Sequence, residues 1–175
     1  MDVAATMAGY PFFLTEPDVV NVRLTGELAP AVSAKDVILS LVDDLTIKGG
    51  VGKIFEFTGP GVKSLSVPER CTITNMTTEL GATSGIFPSD EVTRDYFERQ
   101  GRGSDWTEVL PEEDAEYDDE LHVDLSEIES VVAEPGMPDN VAPVGDVSGT
   151  EVDQILVGSC TNGSFADIAP IADIL

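Results

Sequence analysis

A succession of strand and helix patterns in the first third of the chain constrains its fold more than any other feature. Residues 19–28 alternate between apolar and polar side chains, which is the pattern of a half-buried strand. Residues 33–47 carry the broad apolar face of a helix, and residues 54–57, Ile-Phe-Glu-Phe, predict a short strand. A strand, a helix and a second strand in this order predict the α/β class, with a mainly parallel sheet flanked by helices in three α/β/α layers. The predicted apolar face of the first strand consists of Val20, Val22 and Leu24.

Weaker patterns predict the remaining elements. A run of ten residues, Pro-Glu-Glu-Asp-Ala-Glu-Tyr-Asp-Asp-Glu at 111–120, is typical of a solvated connector, because so many like charges repel one another. We place a boundary there, which divides the chain into 1–18, 19–112 and 113–175. The other predicted segments are the tail of a helix at 1–10, helices at 68–80 and 92–100, a loop or short helix at 105–109, a strand at 122–125, an irregular stretch at 131–143 and a buried strand at 154–157.

The charge balance excludes several classes of partner. The chain has 33 acidic and 9 basic residues and a net charge of -24, whereas nucleic acids and anionic membranes require basic surfaces. Two explanations for the acidity stay open, a salt-rich source or an acidic part of a larger protein. We also predict no signal peptide, no membrane span and, with only two cysteines, no disulfide framework. These features together predict a reducing, cytoplasmic compartment.

Cys160 follows the predicted strand at 154–157, whose last three residues are apolar, at a predicted junction between a strand and a helix. Asn162 or Ser164 can cap that helix, and Asp167 suits its first turn. A thiol at the positive end of a helix has a lowered pKa, as a nucleophile or a metal ligand requires. The alternative is that Cys160 is a small residue filling a tight turn.

Asn75 and Glu79 are four residues apart on the predicted helix at 68–80, so they share one face. The apolar residues Ile73, Met76 and Leu80 occupy roughly the opposite face. Such a helix can bury one side while presenting an amide and a carboxylate to a cleft, although an exposed polar face is an equally simple explanation. For the other candidates, we expect Cys71 to be a buried structural thiol and His122 to be solvated or structural.

The segment 158–162, Gly-Ser-Cys-Thr-Asn, resembles a signature of the aconitase family, and 72–83 with its continuation 85–91 resembles a second one. The resemblance implies that Cys160 is the first of three thiolates that hold a [4Fe-4S] cluster. It implies a catalytic carboxylate near the labile iron for Glu79 and a neighbouring amide for Asn75. For Asn162 it implies a hydrogen bond to a cluster sulfur, and it places the other two ligands beyond this chain.

The same resemblance implies the function of an aconitate hydratase, which interconverts citrate and isocitrate through cis-aconitate. The sequence is then an internal fragment, inactive alone, whose partners are a tricarboxylate substrate and the remaining domains of the same enzyme. Exposed cleft surface would favour self-association of the fragment. The Phe-Pro-Ser-Asp-Glu stretch at 87–91 favours aconitate hydratase over the alternative, the large subunit of a 3-isopropylmalate or homoaconitate dehydratase. A non-catalytic scaffold is the second alternative.

The segment 48–53, Lys-Gly-Gly-Val-Gly-Lys, resembles the phosphate-binding loop of partition-type ATPases. Such a loop needs a strand before it, a helix after it and a hydroxyl for the metal. Here a predicted helix precedes the glycines, a predicted strand follows them and Ile54 replaces the hydroxyl. The segment therefore predicts a helix stop followed by a turn, and nucleotide binding is disfavoured.

Overall fold

The computed structural model describes residues 2–174. Its main sheet has the strand order β3-β2-β1-β4, and all neighbouring strands are parallel. The strands of this sheet are β1 Asp18–Thr25, β2 Lys53–Thr58, β3 Ser84–Ile86 and β4 Asp119–Asp124. The helices are α1 Asp2–Met7, α2 Ala34–Leu45, α3 Val67–Met76, α4 Glu91–Arg99 and α5 Phe165–Ile174. Short 3-10 helices span Pro60–Ser64, Thr77–Leu80, Gly103–Asp105 and Leu125–Glu127.

The core forms where one face of β1 and β2 meets α2 and α3. The predicted apolar residues of β1 are at most 1% exposed, and Phe55 and Phe57 of β2 are buried with them. The apolar stripe of α2 and Ile73 of α3 complete the same cluster. Burying this surface is the main favourable contribution to folding. The α/β class and the mainly parallel sheet with flanking helices are therefore confirmed.

The crossover from β1 through α2 is fixed by the capping of the helix. Ser33 and Asp36 form a capping box, in which the Asp36 carboxylate accepts hydrogen bonds from the Ser33 backbone N–H and hydroxyl. The other Asp36 oxygen accepts a hydrogen bond from the backbone N–H of Val131 at 2.9 Å. One buried carboxylate thus starts the helix and holds a distant part of the chain against it.

Arg70 links α3 to the segment that precedes α4. Its guanidinium is 4% exposed and forms a bidentate pair with Asp90, with nitrogen–oxygen distances of 2.8 and 2.9 Å. The same group donates hydrogen bonds to the carbonyls of Leu65, Val62 and Pro88. Because every side of the guanidinium is occupied, the buried charge is both paired and hydrogen-bonded.

Several local predictions differ from the structure. The stretch at 131–143 is not irregular throughout, because β5 Val131–Ala133 and β6 Val141–Pro143 pair as an antiparallel hairpin. The segment at 154–157 is not a buried strand, since no strand pairs with it within residues 2–174 and Ile155 and Leu156 are 80% and 82% exposed. The first predicted strand ends at Thr25, where the chain turns at Gly26, rather than at residue 28.

Three side-chain environments also differ from expectation. Cys71 is exposed rather than buried, because it lies on the outward side of α3, away from Ile73. Asn21, predicted on the polar face of β1, is 8% exposed, because β1 is a central strand and its Oδ1 accepts a hydrogen bond from Thr58 Oγ1. His122 is exposed, as expected, and lies 3.2 Å from Glu120.

The acidic connector at 111–120 ends inside the main sheet. Asp119 and Glu120, the last two residues of the connector, already belong to β4, which pairs with β1. The main sheet thus includes a strand beyond residue 112, and the division at that point stays a prediction. As expected, α2 precedes the glycines at 49–50 and β2 follows them. No helix within residues 2–174 is long and apolar enough to span a membrane.

Candidate functional site

The loop that carries Cys160 is a tight turn ahead of α5. Ser159 adopts a left-handed φ of 81°, and the Cys160 side chain is exposed. A capping interaction then starts α5, in which the Asp167 carboxylate accepts hydrogen bonds from the backbone N–H and the hydroxyl of Ser164. The turn into a helix matches the prediction, although the segment before the turn is exposed and is not part of a strand.

Polar side chains of α3 hold this loop in place. Thr72 Oγ1 donates a hydrogen bond of 3.4 Å to the carbonyl of Thr161. Asn75 Nδ2 donates one of 2.7 Å to Thr161 Oγ1 and lies 3.6 Å from Cys160 Sγ. The structure therefore brings together Asn75 and Cys160, which are 85 positions apart in the sequence.

The electrostatics of the loop favour the thiolate form of Cys160. The hydrogen bond from Asn75, followed by the contact with Thr161, lowers the pKa of the Cys160 thiol, and these effects outweigh the opposing desolvation. Hydrogen bonds to a charged form stabilise that form. The thiolate is the state of cysteine that attacks electrophiles and binds metals. The direction agrees with the prediction, and the two largest causes are side chains.

The remaining predicted site residues lie differently. Asn162 Nδ2 donates a hydrogen bond of 3.0 Å to Asp167 Oδ1, so its amide is directed toward the start of α5. Its Oδ1 is buried and has no hydrogen-bond partner among the described residues. Glu79 lies in the 3-10 helix after α3, and its side chain is exposed. Its carboxylate forms no hydrogen bond or ion pair with another side chain in residues 2–174. The roles of both residues stay predictions.

Thr161 and Thr72 are the site residues that sequence reasoning missed. The spacing contained a signal for Thr72, which is three positions before Asn75 and therefore on a neighbouring part of the same helix face. The sequence offered no comparable signal for Thr161. Its contact with α3 joins segments 86 positions apart, and no local pattern reports such a contact.

The donor set suits one corner of an iron–sulfur cluster. Such clusters are held mainly by cysteine thiolates. In the part of the chain that the structure describes, no three His, Cys, Asp or Glu side chains are grouped to hold a metal ion. Cys71, on α3, lines a groove with Phe87 and Thr93. Cys160, with hydrogen-bond donors from Asn75 and Thr161 beside its sulfur, fits as a single thiolate ligand of such a cluster.

This α/β domain presents the loop of Cys160 against polar side chains of α3. The arrangement is suited to one part of a metal-dependent active site. The particular family follows from comparison with known proteins. The model of the aconitase family (aconitate hydratase) matches residues 1–175. The chain therefore belongs to the aconitase family, which confirms the resemblance seen in the two signatures.

The chain is also similar to curated members of the family. It is 44% identical over 174 residues to a 3-isopropylmalate dehydratase large subunit 2 of Archaeoglobus fulgidus, which is 99% of this chain and 42% of that protein. It is 39% identical to a 3-isopropylmalate dehydratase large subunit 1 of Methanopyrus kandleri, with 99% and 41% covered. It is 40% identical to a 2,3-dimethylmalate dehydratase large subunit of Eubacterium barkeri, with the same coverage. The chain spans about two fifths of the length of these relatives.

These relatives bear on the choice between aconitate hydratase and the large subunit of a 3-isopropylmalate dehydratase. The stretch at 87–91 favoured aconitate hydratase, yet the relatives above carry the name of the alternative, a 3-isopropylmalate dehydratase, or of a 2,3-dimethylmalate dehydratase. In the structure, Phe87 stacks on Phe57 with ring centroids 4.5 Å apart, and Asp90 pairs with Arg70. This stretch therefore has a structural role in the fold.

Proposed function

We propose that the chain is part of the large subunit of an aconitase-family hydro-lyase that dehydrates an alkyl-substituted malate, with 3-isopropylmalate as the first candidate. The observation that carries this proposal is the identity of 44% and 39% to two 3-isopropylmalate dehydratase large subunits over nearly the whole chain. The 2,3-dimethylmalate dehydratase relative supports the broader substrate class, a malate with alkyl substituents. Citrate becomes the second candidate.

Dehydration of a malate removes a proton from one carbon and expels the hydroxyl group from its neighbour. A bound [4Fe-4S] cluster with an open iron position would supply a Lewis acid for the departing hydroxyl. In this proposal Cys160 provides one thiolate ligand, in the ionised state that Asn75 and Thr161 favour. The Asn75 amide lies 3.6 Å from that sulfur and helps to set its basicity.

Glu79 is proposed as a carboxylate that holds or releases a proton near the substrate. It lies in the 3-10 helix that continues from α3, in the turn after Asn75, and its side chain is exposed. A catalytic carboxylate must be reachable by substrate, and an exposed side chain without an ion-pair partner meets that condition. Asn162 stays a proposed residue of the cluster site, because its hydrogen bond to Asp167 helps to fix the loop that carries Cys160.

The proposal also implies partners. The relatives are called large subunits, so we infer a second subunit that completes the active site. The other cluster ligands and the cationic groups that bind substrate carboxylates would come from that subunit or from further parts of the same polypeptide. Net charge is -24, and the most buried guanidinium, that of Arg70, is already paired with Asp90. The chain itself therefore offers little positive surface for a dianionic substrate.

The test is to express the complete protein with its second subunit, reconstitute it anaerobically with iron and sulfide, and compare kcat/KM for 3-isopropylmalate, 2,3-dimethylmalate and citrate. We expect an alkyl malate to be preferred. Cys160→Ser should abolish the visible absorbance of the cluster, and Glu79→Gln should keep that absorbance while lowering kcat. Cys71→Ser is the matched control and should change neither property.

Two outcomes would contradict the proposal. Preferred turnover of citrate would return the function to aconitate hydratase. A complete protein that stays colourless and inactive with Cys71 and Cys160 intact would favour the non-catalytic scaffold instead.

A further inference from the structure

We propose that Thr161 is a positioning residue that fixes the Cys160 sulfur and the Asn75 amide against each other. The inference deepens the proposed function, because it rests on Cys160 being the ligand of that site. It concerns the residue after the cysteine, whose side chain and backbone both contact α3.

The first argument is that Thr161 attaches the loop to α3 at two points. Its carbonyl accepts a hydrogen bond from Thr72 Oγ1 at 3.4 Å, and its hydroxyl accepts one from Asn75 Nδ2 at 2.7 Å. The shorter of these is well within the usual range for a hydrogen bond, whereas the contact between Asn75 Nδ2 and Cys160 Sγ is 3.6 Å. The hydroxyl of Thr161 is therefore the main anchor for the amide.

The second argument concerns the direction of the hydroxyl proton. Because Thr161 Oγ1 accepts a hydrogen bond from Asn75, its own proton is free to point elsewhere. Cys160 Sγ lies 3.8 Å from this oxygen, and a thiolate at that position can only accept. The Asn75 amide thus donates to the Thr161 hydroxyl, and the hydroxyl in turn donates to the thiolate sulfur.

The third argument is that the loop has few other restraints. Glycines at 158 and 163 flank it, and Cys160 is exposed at the turn. Without the hydroxyl, the loop would keep two longer contacts with α3, the bond of 3.4 Å from Thr72 to the Thr161 carbonyl and the contact of 3.6 Å from Asn75 to Cys160 Sγ. The sulfur would then be free to move away from Asn75 by turning at its flanking glycines.

The test compares Thr161→Val, which removes the hydroxyl at nearly constant shape, with Thr161→Ser, which retains it. Both are made in the 175-residue chain with Cys71→Ser, so that one thiol remains. The measurement is the rate of Cys160 alkylation by iodoacetamide at fixed neutral pH. We expect Thr161→Val to slow alkylation roughly three- to tenfold, since the sulfur loses the neighbouring hydroxyl and the Asn75 amide, its other donor, loses its anchor, and Thr161→Ser to stay near the parent rate.

Thr150→Val is the control, because Thr150 is another exposed threonine whose hydroxyl bonds only to the Val147 carbonyl. It should leave the rate unchanged, and circular dichroism should show the same helix content in all variants. An equal rate for Thr161→Val and the parent would overturn the proposal, as would a loss equally large in Thr161→Ser.

A second arm separates this inference from the proposed function. In the complete reconstituted protein, Thr161→Val should shift the electron paramagnetic resonance signal of the reduced cluster, and Thr161→Ser should restore it. If the complete protein binds no cluster while the alkylation contrast persists, the proposed function fails and the positioning role of Thr161 stands. If a cluster binds with an identical signal in all variants, the positioning role fails and the function stands.

Discussion

Removing the carboxylate partner of Arg70 is the sharpest perturbation of the fold. Asp90→Asn keeps the side-chain shape and an oxygen that can still cap α4, where Asp90 accepts a hydrogen bond from the Thr93 backbone N–H. It deletes the negative charge that faces the guanidinium. The Arg70 side chain is 4% exposed and that of Asp90 is 13% exposed, so solvent cannot compensate for the lost charge.

The expected cost follows from this burial. Breaking a buried ion pair by removing one partner costs about 3–5 kcal/mol, because the remaining charge stays desolvated. The three carbonyl acceptors of Arg70 remain and soften the loss, which places the expected cost near the lower end. With a urea slope of about 2 kcal/mol per molar, a cost of about 3 kcal/mol lowers the unfolding midpoint by roughly 1.5 M.

Urea unfolding followed by circular dichroism measures this shift. The matched control is Asp105→Asn, because Asp105 pairs with Arg102 at 2.9 Å in a setting where both side chains are more than half exposed. Such exposed pairs contribute at most about 1 kcal/mol. An equal midpoint for Asp90→Asn and Asp105→Asn would show that the buried pair does not stabilise α3 against α4.

The same pair gives a pH dependence with a definite sign. Burial raises the pKa of Asp90, but the hydrogen bond and charge of Arg70 and the Thr93 backbone N–H outweigh it, so the pKa lies below its ordinary value of 3.8. A lowered pKa in the folded state stabilises the protein fully above the unfolded value, and that stabilisation is lost as pH falls through the folded pKa. The difference between the parent and Asp90→Asn should therefore be largest near neutral pH and shrink in acid.

Three further predictions concern other parts of the chain. Gly59→Ala should destabilise the protein more than Gly52→Ala in urea unfolding, because both have a positive φ but only at Gly59 would a Cβ lie 2.4 Å from the Leu24 carbonyl; equal losses would leave backbone strain as the sole cause. Asp36→Ala should speed amide exchange at Val131, which loses its acceptor, whereas Ser33→Ala should not; equal exchange would refute this contact. Raising KCl to about 3 M should raise the thermal midpoint, since salt screens a net charge of -24, and sucrose of equal osmolarity should not reproduce the whole effect.

Local patterns predicted the central part of the fold because each of those elements contacts a neighbour close in sequence. The alternation in β1 and the apolar stripe of α2 match the observed core. The run at 154–157 has equally apolar residues, yet it is exposed and unpaired within residues 2–174. Apolar composition indicates that a segment needs a partner, but it does not supply one, and this explains the wrong prediction.

The site was harder to predict, because it depends on contacts between distant segments. Cysteines are commonly buried, which made burial the expected environment of Cys71. Its spacing of four residues from exposed Asn75 was the better indicator, since both lie on the outward side of α3. The lowered pKa of Cys160 was expected from a helix end, whereas the structure attributes it first to Asn75. Spacing alone could not have identified that donor.

The position of β4 has a consequence for the order in which the sheet is completed. Val19 and Asp118, which exchange hydrogen bonds at the start of the β1–β4 pairing, are 99 positions apart. Closing a loop of that length costs about 1 kcal/mol more chain entropy than the β1–β2 pairing, in which Val19 lies beside Ile54, so β1 and β2 can associate before β4 arrives. Until then one edge of β1 is open and could pair with another molecule. The acidic residues of the segment 111–118 directly precede β4 in the sequence. Their like charges would repel a second copy of the chain while the edge of β1 is still unpaired.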